Sequence, residues 1–159
     1  MLQEILLIID VIGLGMLLGG GVYESVVINP NYRAKIPESL NTLRQFMKVT
    51  TPANYFRILS PVTMVALLVT VFIFWASIPV RWLFVVAFVL LIVADSITYG
   101  FHYPRNKVLF INTLIPDTNM LRRISWEWQI GNLLRILLML ISIVMVMLGI
   151  FSTLQITVA

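Results

Sequence analysis

The sequence has no cysteine, one histidine (His102) and little charge: 11% of residues are Asp, Glu, Lys or Arg. Without cysteine there are no disulfides, no thiol nucleophile and no thiolate metal site. A carboxylate-bridged di-iron bundle needs about four carboxylates and two Glu-x-x-His pairs. One histidine and no such pair exclude it, leaving Glu24, Asp95, His102 and Glu127 as a mononuclear set at most. Phosphate loops, dinucleotide fingerprints and a nucleophile–His–Asp arrangement are missing as well. The expectation is a protein with no bound metal and no cofactor.

What the sequence has is apolar length. Sixty per cent of its residues are hydrophobic, and four runs reach the roughly 20 residues needed to cross a hydrocarbon core: Ile5–Val27, Ile58–Ala76, Trp82–Thr98 and Ile130–Leu154. A soluble bundle needs a polar stripe on each helix, and between Ile136 and Phe151 only Ser142 is polar apart from glycine. The fold class is therefore all-α: an integral membrane four-helix bundle forming one domain over residues 1–159. Its spans fall near 5–28, 55–76, 80–103 and 126–154. The first run lacks a basic leader and carries Glu4 and Asp10, so it is expected to stay as a membrane helix and not be cleaved as a signal.

The basic residues set the orientation. Arg33, Lys35, Arg44, Lys48 and Arg57 lie between the first two helices, and Arg105, Lys107, Arg122 and Arg123 between the last two. Arg81 alone lies on the other side. The expectation is a cell inner membrane protein with both long connections in the cytoplasm and both termini extracytoplasmic. The net charge of +4 then describes a rim facing membrane lipids, with no surface for nucleic acid.

Punctuation refines the elements. Asn29-Pro30-Asn31 predicts the end of the first helix, and Pro104 the end of the third. Pro37-Glu38 opens a short amphipathic helix with Leu40, Leu43, Phe46 and Met47 on one face. That helix either lies in the membrane interface or packs as a lid on the bundle. Thr51-Pro52 starts the second spanning helix, and Pro61 predicts a kink within it. A semi-apolar stretch, Val108–Ile115, is expected along the inner surface. Asp117 or Thr118 caps a fourth helix too long for the bilayer alone.

Ionisable groups inside a span are costly and point to function. At about 1.5 Å per residue, Glu24, His102 and Arg135 all lie roughly 30 Å from the outer ends, with Asp95 about 10 Å shallower. Asp95, Tyr99 and His102 share a helical stripe, as do Trp128, Asn132 and Arg135. These spacings gather polar groups from three helices at one mouth. The ordinary readings remain open beside it: Arg135 snorkelling to headgroups, Glu24 at a solvated helix end beside Arg33 or Lys35, and Asp10 pairing with Arg81. Gly15 and Gly19 form a G-x-x-x-G that serves packing within the bundle, a homo-oligomer, or room for a flat ligand beside the first helix.

In Gly-Val-Tyr-Glu-Ser-Val-Val-Ile-Asn-Pro (Gly21–Pro30), Pro-Arg-Asn-Lys (Pro104–Lys107) and Trp-x-x-x-Asn-x-x-Arg (Trp128–Arg135), the chain resembles the anthrone-oxygenase-like family of four-helix membrane proteins. The resemblance implies oxidation of an anthrone-like, hydrophobic aromatic molecule by O₂ without a bound cofactor. Glu24 or His102 would be the base and Arg135 the oxyanion partner. Tyr99, Trp126 and Trp128 would form the flat walls, and Asn106, Asn132 and Asp95 would complete the substrate site. Members of that family often carry histidine where this chain has Asn132. Two other readings stand beside it: a non-catalytic bundle holding a lipid or small molecule, and an accessory subunit of a larger membrane complex.

Overall fold

A computed structural model describes residues 1–111 and 117–158. It contains five helices: α1 (Leu2–Arg33), α2 (Glu38–Phe46), α3 (Pro52–Ile73), α4 (Ile78–Ile111) and α5 (Thr118–Val158). Four of them are long and apolar enough to span a membrane. Among the described residues there is no strand, and the chain is an all-α membrane bundle.

The four long helices form a ring. Helix α1 packs on α3 and α5, and α4 packs on the same two. Leu14, Leu17, Leu67, Phe84, Leu91 and Met139 meet at the centre, each at most 1% exposed. The outer surface is also apolar, with Ile12, Val65, Phe72, Val89 and Leu137 all exposed. In water such a surface would aggregate; against lipid it is the proper boundary. Polar groups inside the ring bond across it: Ser142 donates to the Ala87 carbonyl at 2.9 Å, and Thr70 to Asp10 at 2.6 Å. The Thr70 bond replaces the expected Asp10–Arg81 pair. Asp10 is fully buried against α3, whereas the Arg81 guanidinium lies on the rings of Trp75 and Trp82, 4.7 and 5.2 Å from their centroids. That cluster suits an interfacial aromatic belt at the turn end of the bundle.

Two helices outlast their predicted stops for one shared reason. Helix α1 passes Pro30 and runs to Arg33, and α4 passes Pro104 and runs to Ile111. Proline breaks a helix because it lacks a donor and its ring crowds the carbonyl four residues back. Each proline here follows a single wide turn, Glu24–Ile28 or Thr98–His102, closed by an i→i+5 bond: Asn29 N–H to Glu24 O, and Tyr103 N–H to Thr98 O. The widened ladder accommodates the ring, and such bulges recur at functional sites.

The basic end is a second, smaller core. Tyr32, Ile36, Leu40, Leu109, Leu121 and Trp128 are buried together where α1, α4 and α5 project past α3. Helix α2 packs on it as a lid, with Leu40 fully buried and Phe46 facing out at 82% exposure. Arg44 fixes the lid by donating to the Leu109 and Val108 carbonyls at 2.7 and 3.2 Å. Asp117 caps the start of helix α5, its carboxylate accepting the Asn119 N–H at 2.8 Å. Residues 112–115 of the predicted surface stretch lie outside the described residues.

Candidate functional site at the basic end

Two adjoining cavities open beneath the lid. The larger, about 330 Å³, has apolar walls from Ile28, Leu43, Met47, Phe110 and Ile111, a size at the low end for small-molecule sites. The smaller, about 40 Å³, is lined by Ser60, Asp95, Tyr99, His102 and Arg135. Glu24, Ala53, Arg57, Tyr103, Asn106 and Trp128 line both. The arrangement is an apolar chamber leading to a compact polar end.

Arg135 organises the polar end. It is 3% exposed, lies 4.9 Å from the Phe56 ring centroid, and donates to Asn132 Oδ1 at 3.3 Å. Glu24 on α1 and Asp95 on α4 are the carboxylates whose charge it feels. It makes no direct ion pair with either among the described residues. The Ser60 hydroxyl donates to Asp95, while Glu24 is buried on the wall of both cavities. A buried guanidinium held between helices, not reaching for headgroups, is the arrangement expected of a group with a task inside the bundle.

The wide turns carry three of the cavity residues. Glu24 opens the first, and Tyr99 and His102 sit on the second. The His102 ring packs edge-on against Trp128, with centroids 4.9 Å apart, and the Trp128 indole donates to Asn106 at 2.8 Å. Neither His102 nitrogen has a partner at hydrogen-bond geometry, although the Gly131 backbone is close enough to act on it. Arg135 Nε is also buried without a partner. Buried polar atoms are nearly always satisfied, so these three define unmet bonding capacity at the wall of the small cavity.

Seven of the nine residues singled out in the sequence line these cavities: Glu24, Asp95, Tyr99, His102, Asn106, Trp128 and Arg135. Tyr99 does so with its side chain largely outward, at 56% exposure. Asn132 lines neither cavity. It is fully buried behind Arg135 and ties α5 to α1, donating to the Gly21 carbonyl at 3.0 Å and to Ser25 Oγ at 2.8 Å. Trp126 lies outside the site, 53% exposed beneath the Arg33 guanidinium. Two residues on from an inward position, a helix has turned by about 200°, so Trp126 and Trp128 point to opposite sides. Glu127 also faces away, bonded to Arg105 and Arg123 at 2.8 and 2.9 Å. No group of three His, Asp or Glu among the described residues is placed to hold a metal.

The sequence reading missed the contribution of α3. Ala53, Phe56, Arg57 and Ser60 line the small cavity, and their i, i+3, i+4, i+7 spacing is a helical face that could have been found. Leu43 and Met47 of the lid, both on the predicted apolar face of the short helix, line the larger cavity. In comparisons with protein-family models, curated proteins and solved structures, nothing matches the chain. The fold and site define a small integral membrane protein with an internal cavity at its basic end.

Proposed function

We propose that the basic end binds a planar, largely apolar molecule bearing a weakly acidic group, and that the chain oxidises it with O₂ without a bound cofactor. The observation that carries this reading is the joining of an apolar chamber to a buried arginine, two carboxylates and an unpartnered imidazole. Further support comes from the three segments that resemble the anthrone-oxygenase-like family. They supply Glu24, Asn106, Trp128 and Arg135 to the cavity walls.

An anthrone is an apt substrate because its doubly benzylic CH₂ is acidic. Glu24, on the wall of both cavities, takes one CH₂ proton; His102 is the neighbouring alternative. Arg135 stabilises the oxyanion of the resulting enolate in a water-poor site. The electron-rich carbon then reacts with O₂ to a hydroperoxide, which loses water. The balance is anthrone plus O₂ to anthraquinone plus H₂O. Asn132 stands where members of that family often carry histidine and lies behind the cavity wall, so it positions Arg135 and α1 and does not carry the proton.

The test is oxygen uptake by the purified protein with emodin anthrone, set against the slow uncatalysed oxidation in detergent. Arg135→Lys keeps the charge but loses the planar fork, and the expected result is a folded protein without excess uptake. Glu24→Gln should also lose uptake. No excess over background for the wild type, with the anthrone still bound, would leave a binding protein and end the catalytic reading. The excess of cations at this end supports a cytoplasmic mouth in the cell inner membrane.

A further inference from the structure

The cations of the basic end are not all alike. Arg33 lies over Trp126, Arg105 and Arg123 share Glu127, and Arg44 is bonded to the Leu109 and Val108 carbonyls. Arg57 and Lys107 differ: both line the 330 Å³ chamber, both are exposed, and neither has a hydrogen bond, ion pair or ring contact among the described residues. Among the described residues, the only carboxylate in the chamber lining is Glu24, which already shares the field of Arg135. A cavity with low-dielectric walls and an excess of one sign of charge, here Arg44, Arg57 and Lys107 against Glu24, concentrates its field on what enters.

We propose that the chamber takes an amphiphile carrying a fixed anion, a carboxylate or a phosphate, held by Arg57 and Lys107 while its apolar body lies against Ile28, Leu43, Met47 and Phe110. This deepens the reading above and rests on it only for the chamber being a ligand site. The two cations act as selectors of ligand charge, separate from the buried group that handles the weakly acidic centre. Their exposure makes them dispensable for folding. The same chemistry is offered by an aromatic acid and by the phosphate headgroup of a lipid, and the experiment separates these sources.

Binding is measured by fluorescence, with the protein in neutral phosphatidylcholine nanodiscs. Anthracene-2-carboxylate is compared with the neutral 2-hydroxymethylanthracene, and lysophosphatidate with monoacylglycerol as displacing ligands. Two partly exposed charge contacts are expected to favour the anion by roughly tenfold. The Arg57→Gln, Lys107→Gln protein should lose that preference. The Lys48→Gln, Arg122→Gln protein removes the same charge from exposed positions lining neither cavity, and should keep it. Preference for lysophosphatidate alone, with the same dependence, would uphold the anion anchor and identify a lipid headgroup, overturning the planar-aromatic reading. Equal affinity for charged and neutral probes, or equal loss in both double variants, would overturn the anchor and leave that reading standing. No binding by any probe would overturn both.

Discussion

Removing Arg135 should cost stability because it strands a buried charge, and the structure says on which partner the cost falls. Breaking a buried ionic group costs about 3–5 kcal/mol. Two features place Arg135→Met at the lower end: neither carboxylate is in direct ion-pair contact, and Asp95 keeps the Ser60 hydroxyl. The lost contact with the Phe56 ring adds about 1 kcal/mol, for a total near 4 kcal/mol. Glu24 is the carboxylate with no hydrogen bond or ion pair among the described residues, so it should carry most of the penalty. The Glu24→Gln, Arg135→Met double variant is therefore expected to recover over half the loss, and Asp95→Asn, Arg135→Met clearly less. Reversible unfolding by SDS titration in mixed micelles gives the three values. Single effects that simply add, within about 0.5 kcal/mol, would mean that Glu24 and Arg135 share no network. Better rescue by Asp95→Asn would refute the assignment of the stranded charge.

Three further outcomes follow from particular contacts. A Cβ on Gly131 would meet the Phe101 ring at 2.6 Å and His102 Cε1 at 3.2 Å, whereas one on Gly19 meets nothing within 4 Å; Gly131→Ala should cost about 1–3 kcal/mol and Gly19→Ala nothing, by the same titration. Asn132→Ala removes the bonds to Gly21 and Ser25 and should destabilise by about 1–2 kcal/mol, with anthrone affinity nearly unchanged if the residue only positions its neighbours. A reporter fused after Ala159 should read as extracytoplasmic and one inserted near Lys35 as cytoplasmic; the reverse pattern would put the cavity on the outside.

The fold was legible because its signals are long and redundant. Four apolar runs, the Thr51-Pro52 start and the Asp117 cap each recur in the structure. The stops at Pro30 and Pro104 were misread because a wide turn ahead of proline leaves no mark in local propensity. Only the i→i+5 bonds reveal it. The glycines were legible as a group but not in their pairing. Gly13 lies against Thr63, Gly20 against Tyr55 and Gly21 against Ile136, while Gly15 and Gly19 of the G-x-x-x-G are loosely surrounded or open. Which glycine is crowded depends on the face that α1 turns to its neighbours, and an apolar helix with no polar stripe hides that face.

The candidate site shows the same division between what spacing encodes and what packing decides. Depth and stripe were enough to bring Glu24, Asp95, His102 and Arg135 together, because a charged group inside a span must face inward. They could not tell Asn132 from Arg135, three residues apart on one face. Nor could they show that Arg135 is the one reaching the cavity while Asn132 spends its amide on α1. That distinction bears directly on function. A histidine at position 132 in this geometry would stand behind the arginine and not before the ligand, so its absence removes no group from the cavity wall. On the proposed oxidation, the proton acceptor would be a residue that does line the wall, and Glu24 lines both chambers.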